Sequence, residues 1–264
     1  MTEKTKTTWK AIAAVVTIII AAIGAYAALV SAGVIDNPRT TKPETTTEST
    51  TTETTAGPTV TQAGASPTGP TTSAKQQLAV GDTTPFGKYD WRVLAVQGDR
   101  ALLLSKDIIE KRPYDTDYKG VMWENCALRA YLNGDFYEKF SEADRARIIL
   151  TRNQNPDNTW GTRDGKQFST SGGNQTDDYV FLLSVPEVLK YFPGLKLDDE
   201  RSYEADERLV AKFNDTGSLW WLRSPGSTQN DAAYVGFVGH VSLSGSYVIN
   251  GTGGVRPALW LNLS

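Results

Sequence analysis

The sequence holds one cysteine and one histidine in 264 residues, and both scarcities exclude chemistry. Cys126 alone cannot form an intramolecular disulfide or found a cysteine-based zinc site. His240 alone rules out a multi-histidine metal centre and leaves any Ser-His-Asp arrangement dependent on one ring. Neither charge sign dominates: 27 basic against 30 acidic side chains give a net charge of -3, so no basic field exists to attract nucleic acid. A Gly-rich phosphate loop ahead of a helix is also missing, which argues against nucleotide binding. Aromatic residues are plentiful, and 7 Trp, 11 Tyr and 8 Phe supply a core that needs no disulfide.

The N-terminal third differs from the rest. Residues 11–35 (AIAAVVTIIIAAIGAYAALVSAGVI) carry no charge, and roughly 20 apolar residues suffice for a helix to cross a bilayer. Trp9 stands where an interfacial ring would lie. Lys4, Lys6 and Lys10 make residues 1–10 the more positive flank, which places the N-terminus in the cytoplasm and the C-terminal part of the chain outside. Ala25-Tyr26-Ala27 resembles a signal-peptide cleavage site, but the apolar run continues past it, which favours an uncleaved anchor. Residues 36–76 are dominated by Thr with Pro, Gly, Ser and Glu. They bury too little apolar surface to offset chain entropy and read as a disordered stalk, open to O-glycosylation.

Residues 77–264 form the globular part, long enough for a sizeable core. Residues 86–96 (FGKYDWRVLAV) and 100–105 (RALLLS), separated by Gln97-Gly98-Asp99, predict a β-hairpin. Leu128, Tyr131, Leu132 and Phe136 recur at helical spacing within 125–140, with Asn133-Gly134 as a candidate break. Ser141 caps a further helix through about residue 148, and Ser184-Val185-Pro186-Glu187 is a capping box opening a helix through Tyr191. Residues 180–184 (VFLLS) predict a buried strand, 204–213 a helix, and 219–224, 233–238, 240–249 and 254–263 closing strands. Residues 152–178, poor in apolar side chains, predict a long surface loop. The order of elements is α+β, because no strand-helix alternation persists.

That loop and the closing strands hold the candidate ligand contacts: Asn158, Trp160, Arg163, Asp164, Asp177, Asp178, Trp221 and Arg223. Trp rings stack on sugar faces, and arginines and carboxylates supply directed polar contacts. Against this, Arg223 and Arg256 lie in strands otherwise suited to burial, where internal ion pairs or carbonyl bonds would satisfy them. Trp91, Trp220, Arg256 and Trp260 are assigned structural roles. Asp177-Asp178, Asp198-Asp199-Glu200 and the 153–164 segment offer oxygen ligands that would suit calcium, although no EF-hand spacing is present. No catalytic residue, obligate cofactor or metal ligand is assigned.

The segments YDWRVL (89–94), ALLLS (101–105), WENC (123–126), LRAYLN (128–133), VFLLS (180–184), WWLRSPG (220–226) and GVRPALW (254–260) closely resemble a bacterial domain of unknown function, family 6273, from about Val80 to Leu263. That resemblance implies a surface or secreted setting and supplies no reaction. More loosely, Leu222-Arg223-Ser224 and Gly254-Val255-Arg256 are similar to closing strands of C-type-lectin-like folds of the formylglycine-generating and retroelement-diversified kind. A formylglycine-generating activity would need active-site cysteines that a head with Cys126 alone does not have. The combined expectation is a single C-type-lectin-like α+β head on a single-pass membrane anchor. Its expected role is noncatalytic binding of a glycan, cell-wall polymer or protein. The alternatives are an extracellular carboxylate-dependent polysaccharide hydrolase and a structural subunit of an envelope complex.

Overall fold

The structure, a computed structural model, describes residues 78–195, 197 and 205–264. The expected anchor, the stalk and Asp198-Asp199-Glu200 lie outside the described residues. Among the described residues no helix is long and apolar enough to cross a membrane.

Strands β1 (Thr83–Phe86), β2 (Tyr89–Gln97) and β3 (Arg100–Ser105) form an antiparallel meander. The expected hairpin is therefore present, preceded by one further strand. Alternation in β2 is interrupted where the register slips between Val93 and Ala95; this bulge lets both Val93 and Leu94 bury. After β4 (Glu110–Lys111) the chain enters helix α1 (Ala127–Tyr131), which does not continue through residue 140. Leu132–Phe136 widens into a π turn with non-helical Gly134 (φ -112°, ψ -108°), and Tyr137–Lys139 tightens to a 3-10 turn. Asn133 explains the break. Its side chain donates to the Arg129 and Val180 carbonyls and accepts from the Tyr179 N–H, bonds that compete with a regular helix.

Ser141 caps α2 (Glu142–Arg145), which stops earlier than expected because Ile148 belongs to β5 (Ile148–Ile149). The expected loop at 152–178 is instead a folded-back excursion. Its base is the antiparallel pair β6 (Thr151–Asn153) and β9 (Thr176–Asp178), and its tip is the hairpin β7 (Thr162–Arg163) and β8 (Lys166–Gln167). Asp164 (φ 53°) and Gly165 (φ 72°) both take left-handed conformations, as a two-residue type I′ turn requires. Helix α3 (Val185–Tyr191) opens with the expected capping box. Of the helix expected at 204–213, the described residues 205–213 hold a single 3-10 turn, Glu207–Leu209, and the start of the hairpin β10 (Lys212–Phe213) and β11 (Thr216–Gly217). Asn214 (φ 50°) and Asp215 (φ 62°) take left-handed conformations and turn that hairpin, which draws Lys212 and Phe213 into a strand in place of the end of the expected helix.

The closing strands are β12 (Trp220–Pro225), β13 (Asp231–Val235), β14 (Val241–Tyr247), β15 (Gly254–Val255) and β16 (Ala258–Asn262). Two five-stranded sheets are present among the described residues, ordered β1-β2-β3-β16-β5 and β14-β13-β12-β15-β4. The expected final strand is broken at Arg256-Pro257, where the chain leaves the second sheet and enters the first. Residues 180–184, expected as a strand, are buried but join neither five-stranded sheet. They stitch the two together: Phe181 exchanges backbone bonds with Ala258, and the Arg223 N–H donates to the Leu183 carbonyl at 3.0 Å. The core contains Trp91, Trp123, Trp220 and Trp221, none with appreciable exposure. Truncating any one would cost about 3–5 kcal/mol. The architecture is α+β, mostly sheet with short helices.

Candidate functional site

Two buried charge clusters hold the excursion. Asp178 accepts from Trp123 Nε1 (3.1 Å), Arg129 Nε (2.6 Å), Asn153 Nδ2 (2.9 Å) and the Thr176 hydroxyl (2.7 Å). A carboxylate with no exposure is tolerable only with such a set of donors. Arg223 is the counterpart on β12. It pairs with both Glu187 oxygens and donates to the Leu182 and Gln154 carbonyls and to Asn155 Oδ1. The first residues beyond β6 are thus tied to the sheet before the excursion leaves it.

Farther out, Asn158 bridges to Thr170 and donates from Nδ2 to the Pro225 (2.8 Å) and Leu243 (3.0 Å) carbonyls. Arg163 at the tip donates to the Ser227 hydroxyl at 2.8 Å and lies 3.8 Å from Asp231. Gln229 donates to the Ser171 carbonyl, and Glu124 accepts from the Asn174 backbone and side chain. Those Asn174 bonds hold the Glu124 carboxyl below its ordinary range. Chain reversal, buried amide and surface arginine together fix the segment along its length.

Of the eight residues assigned to ligand contact, Asn158, Asp178, Trp221 and Arg223 are buried, and their polar groups are spent within the protein. Trp221 Nε1 donates to the Arg112 carbonyl at 2.8 Å. Trp160, Arg163, Asp164 and Asp177 reach the surface. Asp177 sits at the base, where the hydrogen bonds and charge of Arg152 hold its carboxyl low. Arg163 and Asp164 lie on the tip hairpin, and Trp160 stands two residues before its first strand. Trp160 keeps 38 % of its surface exposed, with the buried Asn158 two residues before it. The structural quartet Trp91, Trp220, Arg256 and Trp260 is buried. Carbonyls surround Arg256: it donates to those of Ser105, Lys106 and Leu209 and lies 4.8 Å from the Trp220 ring centroid. Burial lowers its pKa to about 9, so it stays charged at neutral pH.

Cys126 is buried and its thiol is pushed up to about 12, chiefly by desolvation, so it is protonated at neutral pH. His240 is partly buried, which lowers its pKa, and its ring lies edge-on to Tyr234. Among the described residues no group of three or more His, Cys, Asp or Glu is arranged to hold a metal ion. Residues not assigned from sequence are Glu187, Asn155, Asn133 and Glu124. The capping box marks Glu187 as a helix cap, but nothing in the sequence pairs it with a residue on β12.

Fold and site define a two-sheet α+β domain carrying an anchored, tryptophan-bearing excursion. The chain belongs to the family described as Domain of unknown function (DUF6273), which matches residues 98–263. No curated protein and no solved structure matches it.

Proposed function

We propose that this protein is a membrane-anchored, surface-displayed binding module that engages a glycan, cell-wall polymer or protein without chemical turnover. The excursion carries the proposal: exposed Trp160, three residues before Arg163, on a backbone fixed by buried Asn158. A loop already ordered before binding loses little entropy on contact, and a tryptophan supplies a large, stiff contact area. Placement on the outer face of a membrane rests on the uncharged stretch 11–35 and its lysine-rich flank. A C-type-lectin-like scaffold fits the Arg223-bearing β12, the β13–β14 pair and the β15 strand ahead of Arg256. Calcium would have to bind the exposed acids, because both oxygens of Asp178 accept protein hydrogen bonds.

The test is binding of the full chain to a panel of glycans, cell-wall fragments and surface proteins, with and without chelator and with product analysis. Saturable binding with intact ligand, weakened tenfold or more by Trp160→Ala, is expected. Cleaved ligand would replace this function with hydrolysis, and neither binding nor cleavage would favour a structural role in an envelope assembly.

A further inference from the structure

Tyr118 and Tyr247 are 57 % and 59 % exposed, yet their ring centroids are 5.3 Å apart in edge-to-face contact. Two features of the backbone put them there. Between the pairs Ala232 with Ser246 and Tyr234 with Ser242, β14 uses two more residues than β13, so β14 bulges. Gly245 in the bulge has φ +83°, and a Cβ there would stand 2.6 Å from the Ala232 carbonyl oxygen, so only glycine fits. Such a bulge re-aims the residues after it, here Tyr247. Tyr118 sits on a loop pinned at one end by the Asp115 N–H on the Val248 carbonyl and at the other by the Val121 N–H on the Gln229 carbonyl, both 2.9 Å. Both rings are held outward by ordered backbone.

Asp231 links the pair to Arg163 on the excursion. Tyr247 is the register partner of Asp231, and Asp231 lies 3.8 Å from Arg163. Ile249, two residues beyond Tyr247, is also exposed, but most of the chain flanking the rings is hydrophilic, with Lys119, Thr228, Gln229 and Asn230 in the two flanking loops and Ser242, Ser244 and Ser246 along β14. A pyranose chain presents C–H faces that stack on aromatic rings and hydroxyls that bond amide, hydroxyl and guanidinium groups. We propose that Tyr118 and Tyr247 form a second stacking subsite which, with Trp160 and Arg163, makes the ligand an extended polysaccharide chain several sugars long. This rests on the binding role proposed for Trp160.

The test uses the full chain and ladders of two to six sugars built from β-1,4-linked glucose, β-1,4-linked N-acetylglucosamine and alternating N-acetylglucosamine and N-acetylmuramic acid, titrated calorimetrically. In at least one ladder the hexamer should bind ten times more tightly than the dimer or better. The double variant Tyr118→Ala/Tyr247→Ala should erase that gain at unchanged melting temperature, whereas Trp160→Ala should weaken every length. If the double variant keeps the gain, the second subsite is wrong while the role of Trp160 stands. If the wild type binds no ladder yet captures a protein in a Trp160-dependent way, the polysaccharide assignment is wrong and the display role stands.

Discussion

Arg256 and Arg223 are both buried, but they are satisfied in different ways. Arg223 faces the carboxylate of Glu187, whereas Arg256 is surrounded by three carbonyls and the Trp220 ring. Removing Arg256 would take a donor from the Ser105, Lys106 and Leu209 carbonyls, of which Leu209 keeps Trp220 Nε1, at the point where the chain passes from one sheet to the other. Arg256→Ala should therefore cost about 3–5 kcal/mol, read as a lower denaturation midpoint. Arg256→Lys should recover only part of that, since one ammonium cannot reproduce the planar fork that reaches three acceptors. The sequence makes the need for partners legible, because an arginine among Val255, Pro257 and Ala258 must bury. It does not say which partners, because Lys106 and Leu209 are brought in by turns that no local pattern places beside it.

At the scale of elements, α3 shows one side chain serving two structures. Glu187 completes the capping box by accepting from the Ser184 N–H and also neutralises Arg223. Ser184→Ala removes a cap and should cost about 1 kcal/mol. Glu187→Ala also leaves the Arg223 guanidinium buried without its counter-ion, and should cost about 3–5 kcal/mol. Comparison of the two urea midpoints checks the difference, and equal losses would mean that the cap alone matters. Local signals of this kind are the ones that sequence carries well: alternation in β2, the Ser141 and Ser184 caps and the apolar closing strands all correspond to real elements. Asp164-Gly165 and Asn214-Asp215 are equally local signals, but the first is masked by a polar stretch and the second by neighbours with helical spacing. The π turn after α1 and the stitch at 180–184 are different. Each depends on bonds to distant segments, Asn133 to Val180 and Phe181 to Ala258, and periodicity cannot report them.

Over the whole molecule, the last strand occupies an inner place in the first sheet. β16 lies between β3 and β5, so its partners come from near the start of the globular part and from its middle. This non-local closure explains why elements were legible and topology was not, since strand order is decided by contacts distant in the chain. In the second sheet the closing strands carry Arg223 and Asp231 against the excursion that bears Trp160 and Arg163. If closure by β16 completes the core, a chain lacking residues 258–264 should leave β3 and β5 without their shared partner and Phe181 without its backbone bonds. It should show no cooperative melt and weak near-ultraviolet dichroism from its tryptophans. Removal of Leu263 and Ser264 alone loses the Leu263 N–H bond to the Asp99 carbonyl and should keep the cooperative transition. A cooperative melt in the longer deletion would mean that the second sheet and the excursion fold without the first, and the proposed binding surface would then be separable from the strand that closes the core.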